Sequence, residues 1–369
     1  MSEIEIGRGK RARRAYTLDD VAVVPRRRTR DADEVSTSWQ FDAYHLDVPV
    51  LSAPMDSVSS PATAIEIGRL GGVGVLDLEG LWTRYEDPTE ELARIARADP
   101  EEATSLFQRL YSAPVKRDLI FSRLAEIRSA GVPVAGALSP GRTQDLWKTV
   151  VDAGVDLFII RGTTVSAEHV SASREPLNLK RFIYELEVPV LVGGAVTYTG
   201  ALHLMRTGAA GVLAGYGGGA ASATRRTVGI AAPMATAIAD IAAARRDYLD
   251  ESGGRYVHVI ADGSVSTSGD LVKAIACGAD AVMLGTALAR AAEAPGRGWH
   301  WGPEAWHGTL PRGGRVEVAT VGSLRDILDG PSHQASGFTN FMGALRHAMA
   351  ANGYLDLKEF QRAELVVTA

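Results

Sequence analysis

The sequence predicts an α/β protein of the (β/α)8 barrel class, and three observations lead there. First, eight short apolar runs recur: Pro49–Ala53, Gly72–Leu76, Pro133–Leu138, Asp156–Ile160, Pro189–Val192, Ala209–Ala214, Val257–Ala261 and Ala281–Leu284. Their Val, Ile, Leu and Ala content is that of parallel strands buried on both faces. Second, helix-like segments separate them, and several stop on a glycine directly before the next run. Examples are Leu70-Gly71-Gly72, Ala130-Gly131-Val132, Ala153-Gly154-Val155, Thr207-Gly208-Ala209 and Cys277-Gly278-Ala279. Third, the alternation spans residues 49–286, close to the roughly 250 residues such a barrel needs. An open doubly wound sheet is the rival. Equal strand lengths and the lack of Gly-x-Gly-x-x-Gly after the first strand favour the barrel.

In chain order, Tyr16–Pro25 reads as an ordered lead-in ended by proline. The predicted barrel helices are Ala62–Leu70, Leu119–Ala130, Thr143–Ala153, Leu179–Leu186, Tyr198–Thr207, Thr227–Arg245 and Ser268–Ala276. Residues 77–118 form a long charged connection with helices near Pro88–Ala98 and Pro100–Tyr111. Residues 287–369 follow the last strand and carry Trp299, Trp301 and Trp306, then a helix near Phe338–Asn352. That piece exceeds one closing helix, and a flap over the barrel mouth is its natural use. The expectation is one domain over 1–369, with the barrel core at about 48–290 and flap and extension at about 291–369.

Bulk properties narrow the function. A net charge of −5 argues against a nucleic-acid-binding body, which needs a basic surface. One basic region departs from that average: Arg8, Lys10, Arg11, Arg13 and Arg14, then Arg26, Arg27, Arg28 and Arg30. It reads as a solvated arm, with an anion or subunit contact as the alternative. The single cysteine, Cys277, excludes an intramolecular disulfide and reads as a buried structural thiol. No run reaches the ~18 apolar residues of a membrane span, and the charged start lacks a signal-peptide core. A cytoplasmic protein is expected.

The chemistry-bearing stretches sit at strand ends. Gly215-Tyr216-Gly217-Gly218-Gly219 follows the sixth run, and Ser222, Thr224 and Arg225 come directly after. A glycine-hinged loop at a strand's C-terminal end is where α/β proteins place function. Ile260-Ala261-Asp262-Gly263-Ser264 and Leu284-Gly285-Thr286 end the seventh and eighth runs. Gly plus hydroxyl at those two positions suits a phosphate, and a carboxylate such as Asp262 suits a ribose diol. Met55, after the first run, suits contact with a flat base.

Taken together, Thr17-Leu18-Asp19-Asp20-Val21, Ser52-Ala53-Pro54-Met55-Asp56-Ser57-Val58, Gly71-Gly72-Val73-Gly74-Val75, Ile260-Ala261-Asp262-Gly263, Ser268-Gly269-Asp270 and Ala281-Val282-Met283-Leu284-Gly285-Thr286 resemble the IMP dehydrogenase/GMP reductase family. Gly343-Ala344-Leu345-Arg346 and Gly353 extend the likeness over almost the whole chain. It is similar to the short IMP dehydrogenase-related branch, because residues 77–118 cannot hold the family's paired CBS module. The resemblance implies a purine monophosphate ligand (IMP, GMP or XMP) and NAD or NADP. Ser52, Met55 and Ala220 would flank the nucleotide, Asp262 would take the ribose, and Ser264, Gly285 and Thr286 the phosphate. Gly194, Gly215, Gly217 and Arg161 fall at the dinucleotide side. A monovalent cation, K+, held by loop carbonyls, and a homotetramer or homo-octamer are implied as well.

Four positions depart from the family pattern. The loop cysteine is Ser222, whose hydroxyl needs a base to become a nucleophile. Arg161 stands where the family has an acidic residue after strand 4, which would suit the 2′-phosphate of NADP. The family asparagine after strand 5 is Gly194. The flap's Tyr-Arg-Gly is most like Trp306-His307-Gly308, where His307 could serve as acid or base. Thr224 with a carboxylate such as Glu317 could relay protons, as in the reductase branch. Two functions follow: an NAD(P)-dependent purine nucleotide oxidoreductase of guanine nucleotide metabolism, or a nucleotide-binding protein that has lost the cysteine chemistry.

Overall fold

Eight parallel strands closing into a ring set the positions of everything else. The computed structural model describes residues 3–163, 165–172 and 176–368. The strands are β1 (Val50–Ser52), β2 (Val75–Asp77), β3 (Ala135–Leu138), β4 (Leu157–Arg161), β5 (Val190–Ala195), β6 (Gly211–Ala214), β7 (His258–Asp262) and β8 (Ala281–Leu284). Neighbours in sequence are neighbours in the sheet, and β8 returns to pair with β1. Between β1 and β2 the ring closes by a parallel bridge of Leu51 to Val73. There Ser52 N donates to Val73 O and Val73 N to Val50 O, both at 3.0 Å. The inward and outward faces of β1, β2, β3 and β8 are all buried, which explains the unbroken apolar runs.

Local signals place the helices. Helix α1 (Pro61–Arg69) starts with a capping box from Ser60 and Thr63 and has Pro61 in its first turn. A Cβ at Gly74 would lie 2.2 Å from Ala64 Cα, so only glycine lets α1 lie so close to the chain entering β2. The predicted single helix Thr227–Arg245 divides in two. Thr224–Val228 ends at the left-handed Gly229, and the long helix α2 runs from Met234, after Pro233, to Glu251. Proline cannot continue a helix, so it resets the start. Cys277 caps the end of Ser268–Ala276, and burial pushes its thiol up to about 11. No helix among the described residues is long and apolar enough to cross a membrane.

The end where the strands begin is plugged. A hairpin of Trp39–Phe41 and Tyr44–Leu46 covers it, and Trp39 Nε1 donates to His258 Nδ1 at 3.2 Å. Burial lowers the His258 pKa to about 4, so its ring stays neutral and can accept. The lead-in strand Val21–Val23 pairs antiparallel with Leu365–Val367, tying the two ends of the chain together. Residues 78–116 hold the helices Thr89–Arg97 and Ala103–Leu110, with no separate module between β2 and β3. Their Leu92, Ile95, Phe107 and Leu110 join Leu81, Tyr111 and Trp301 in a satellite core. The long connection is therefore a bed for the C-terminal flap.

Asp280, just before β8, is the ionic centre of the plugged end. It accepts from Arg245 Nη1 at 2.7 Å, Lys358 Nζ at 2.6 Å, Tyr256 Oη at 2.7 Å and Val259 N at 2.8 Å. Burial alone would raise its pKa, but Arg245 and Lys358 outweigh burial and hold the carboxyl well below its ordinary range. Replacing it leaves Arg245, itself buried, without a counter-charge. Asp280→Ala is expected to lose about 3–5 kcal/mol of stability in urea unfolding. A loss below about 1 kcal/mol, the level of an exposed pair, would contradict this role.

Candidate active site at the barrel mouth

Because all strands run the same way, their C-terminal ends share one rim, and the residues just beyond them converge there. Two cavities open on this rim. One is a narrow slot of about 40 Å³ lined by Met55, Gly217, Ser222, Ser264, Gly285 and Thr286, among others. The second holds about 360 Å³ and is lined by Asp77, Glu79, Ser139, Thr163, His307 and Arg312, among others. Arg161 and Glu304 line both, so they form the wall between them.

Arg161 ends β4 and reaches across to Asp262 at the end of β7. Its Nε and Nη2 donate to the two carboxylate oxygens at 2.7 and 3.1 Å, a two-pronged pair. Burial works against the guanidinium charge, but Asp262, with Glu304 and Asp77 further off, more than restores it. Asp262 is therefore placed where a ribose could reach it, yet its oxygens already accept from Arg161. Arg161 spends two of its five N–H donors on Asp262, and it lines both cavities.

The glycine loop roofs the slot. Gly218 passes so close to Ser264 that a Cβ there would lie 1.8 Å from Ser264 Oγ. Ser264 itself sits at φ +56°, a left-handed backbone that turns the chain under the loop. Ala220 N donates to Thr286 Oγ1 at 3.3 Å, and the Ala220 side is exposed rather than in the slot. Ser222 Oγ lies 3.2 Å from Thr224 Oγ1, and Thr224 is buried. The flap fastens onto this loop: Ala223 N donates to Arg312 O at 2.7 Å, Gly314 N to Ala221 O at 3.0 Å, and Ser222 bridges Gly313. Arg312 N also donates to Glu304 O at 2.9 Å, so one zipper joins loop, flap strand and the Glu304 turn.

The structure does not bring every expected residue together. Ser52 is buried in the ring, where its Oγ accepts from Val75 N at 2.8 Å and meets Ser59 Oγ at 2.9 Å. Gly194 and Gly215 are buried against each other, with a Gly194 Cβ falling 2.2 Å from Gly215 O, and neither lines either of these two cavities. Glu317 is exposed on the strand Val316–Glu317, paired with Trp299, and lies outside both cavities. Glu304, not singled out from the sequence, lines both cavities, the slot together with Ser222. The Gly302-Pro303 turn before it was the readable signal, since such a pair reverses the chain and aims the next side chain. His307 lines the larger cavity, and its Nδ1 accepts from Thr309 N and Leu310 N at 3.3 and 3.0 Å.

The flap root is anchored by the loop after β1. Ser57 Oγ donates to Trp301 O and lies 2.9 Å from His300 Nδ1. Burial depresses His300 to about 4 and keeps it neutral beside the slot. Tyr111 Oη donates to Asp56 Oδ2 at 2.6 Å and accepts from Trp301 Nε1 at 2.9 Å. The Tyr111 ring also stacks on Trp306, centroids 3.6 Å apart.

A sequence model of the IMP dehydrogenase/GMP reductase domain matches residues 15–304. The chain belongs to that family. An uncharacterized oxidoreductase of Mycolicibacterium smegmatis is 54% identical over 372 residues, 99% of each chain. The inosine-5′-monophosphate dehydrogenase of Methanocaldococcus jannaschii is 27% identical, covering 78% of this chain and 74% of that one. The crystal structure of an IMP dehydrogenase/GMP reductase-like protein from Corynebacterium glutamicum superposes with a TM-score of 0.95, at 49% identity and over 99% and 98% of the two chains. Ser222 stands in the glycine loop at the position expected for the family's cysteine, and among the described residues the only cysteine is the buried Cys277.

The Asp56 network makes a pH prediction. Burial raises the Asp56 carboxyl to about 6, above its ordinary 3.8, with bonds from Tyr111 and Leu81 N only partly offsetting it. A folded pKa above the unfolded one means the folded state holds the extra proton, so this group's contribution falls as pH rises from about 4 to 6. Asp56→Asn can still accept from Tyr111 and Leu81 N. It is expected to flatten the dependence of thermal stability on pH over that window and to match or exceed the parent at pH 7.5. A variant less stable at pH 7.5 with an unchanged slope would contradict the assignment.

Proposed function

We propose that the protein is a purine nucleoside monophosphate oxidoreductase that uses NAD. The observation that carries this reading is the shared wall: a phosphate-type slot and a larger cavity meet at Arg161 and Glu304. That is the layout a hydride transfer between two bound molecules requires. Ser264, Gly285 and Thr286 would hold the nucleotide phosphate, and Met55 would lie against the base. The slot is too narrow for a nucleotide while the loop is zipped to the flap, so binding lifts Gly217–Ser222 from Ser264. A ribose diol reaching Asp262 competes with Arg161 for its oxygens.

The second cavity fits a dinucleotide by the chemistry of its lining. Asp77, Glu79 and Glu304 accept ribose hydroxyls and disfavour a 2′-phosphate, which supports NAD over NADP. Burial, then the neighbouring Asp56 and Glu79, raises the Asp77 carboxyl above its ordinary range. When bound, NAD supplies a ring carbon that accepts or returns hydride. For K+, the available donors are loop carbonyls: the described residues hold no cluster of acidic, histidine or cysteine side chains suited to a metal.

Ser222 is not the nucleophile in this reading. The Ser222 hydroxyl donates to another hydroxyl, Thr224 Oγ1, which is no base for its proton. Glu304 acts as the general base on a water placed over the purine C2. For IMP, the water oxygen bonds to C2 and its proton passes to Glu304. With a bound cofactor to take the C2 hydride, the sum would be IMP, water and NAD+ giving XMP, NADH and a proton. A silent nucleotide binder is the second reading, favoured by the serine itself.

Calorimetry with IMP, GMP and XMP, followed by NADH absorbance with IMP plus NAD and with GMP plus NADH, tests both. Saturable IMP binding in the range of about 1 µM to 1 mM is expected, with slow turnover. Glu304→Gln should cut turnover by about 10²–10⁴-fold while IMP affinity stays within a few-fold. Ser222→Cys should raise it by at least about tenfold, since a thiol adds far more readily. Binding without turnover in the parent and in Ser222→Cys supports the silent binder, and no binding of any purine nucleotide sinks both readings.

A further inference from the structure

A second anion site lies away from the barrel mouth, where the segment after the lead-in strand crosses the end of the C-terminal helix Phe341–Ala351. Here a cavity of about 440 Å³ is lined by Arg26, Arg27, Arg28, Arg30 and Arg362 together with Asn352, and Glu359 is its one acidic lining residue. Two of the arginines build the walls. Arg26 Nη1 donates to Tyr354 Oη at 2.7 Å and its guanidinium lies over the Tyr354 ring at 5.2 Å. Arg30 Nε donates to Gly353 O at 2.8 Å, and its backbone N to Ala350 O at 2.9 Å, finishing the helix end. Gly353 sits at φ +69°, and a Cβ there would fall 2.6 Å from Arg28 O, so the arginine segment is pressed against the helix end.

The other three arginines have no such task. Among the described residues no hydrogen bond or ion pair engages the guanidinium of Arg27, Arg28 or Arg362. All three are exposed, and the chain carrying Arg27 and Arg28 is fixed on both sides: Val24 N bonds Glu364 O and Arg30 N bonds Ala350 O, each at 2.9 Å. Like charges held this close repel, so the arrangement is costly without an anion. Glu359 brings one negative charge against the five guanidinium groups of the lining, and one of its oxygens accepts from Leu355 N at 2.8 Å. A second observation points to a ligand. Asn352 is 4% exposed and lines the cavity, and its Oδ1 has no hydrogen-bond partner while its Nδ2 donates to Ala348 O at 2.9 Å. A buried acceptor left unpaired is costly unless something donates to it.

We propose that this cavity binds a phosphorylated small metabolite. Phosphate oxygens pair with Arg27, Arg28 and Arg362, and a turn of the buried Asn352 side chain lets a hydroxyl or amino group of the same molecule donate to its Oδ1. Guanidinium forks match phosphate oxygens in geometry as well as charge. The site is independent of the mouth cavities and of what they bind.

The test is calorimetry on the full chain at 0.15 M salt, with pyrophosphate and ATP as probes. One saturable site is expected for both, tighter for ATP, which carries donors as well as phosphates. Arg27→Ala with Arg28→Ala, and separately Arg362→Ala, should each weaken it at least about tenfold. Their melting temperatures and IMP titrations should match the parent. Arg8→Ala with Lys10→Ala, in the exposed N-terminal hairpin, is the control for general charge and should leave it unchanged. Equal loss in that control, or no saturable binding of either probe, overturns the proposal. So does a change of oligomeric state in the Arg27/Arg28 variant, which would make the patch a subunit contact. Sedimentation with phosphatidylserine vesicles, lost in the same variant, would assign the arginines to a lipid headgroup instead and overturn the free metabolite.

Discussion

Ring closure is the constraint on which the rest depends. Eight parallel strands with both faces buried have no free edge and no choice of direction, so every strand delivers its last residue to one rim. Arg161 and Asp262 are far apart in sequence, on β4 and β7, yet meet because both end their strands at that rim. The opposite end must then be closed, and the Trp39–Phe41 hairpin and the Asp280 cluster do this. One end holds the fold together and the other is left for chemistry.

At the rim, three parts that the sequence keeps separate act as one. The glycine loop lies on Ser264, the flap strand is zipped to the loop through Ala221 and Ala223, and the flap root hangs from Ser57 and from Tyr111, itself bonded to Asp56. Lifting the loop to admit a ligand therefore pulls on the flap. The Arg161–Asp262 pair couples the two cavities in the same way. A ligand that takes the Asp262 oxygens frees the guanidinium toward the neighbouring cavity, where Glu304 and Asp77 lie. On the proposed function, occupation of one side would change the charge presented to the other.

Much of this was legible in the residues. Apolar runs of four to six residues with glycine stops gave the strands close to their true bounds, because burial on both faces leaves a continuous apolar signal. The Asp262-Gly263-Ser264 and Gly285-Thr286 turns were readable for the same local reason, as glycine and hydroxyl pairs at strand ends. What escaped depends on distance in space. Nothing local says that Arg161 is claimed by Asp262, that Ser52 is spent on Val75 N inside the ring, or that Gly194 and Gly215 press on each other. Glu304 and Glu317 both sit in the flap, and only its path over the mouth separates the one that lines the cavities from the one that faces solvent.

The slot under the glycine loop is proposed to take a purine monophosphate, with the second cavity beside it across Arg161. A crystal structure of the protein with IMP addresses it directly. The phosphate is expected against Ser264, Gly285 and Thr286, the base against Met55, the Gly217–Ser222 loop lifted, and Arg161 turned from Asp262 toward Glu304. IMP bound elsewhere, or in the slot with the Arg161–Asp262 pair intact and the ribose clear of Asp262, would contradict it.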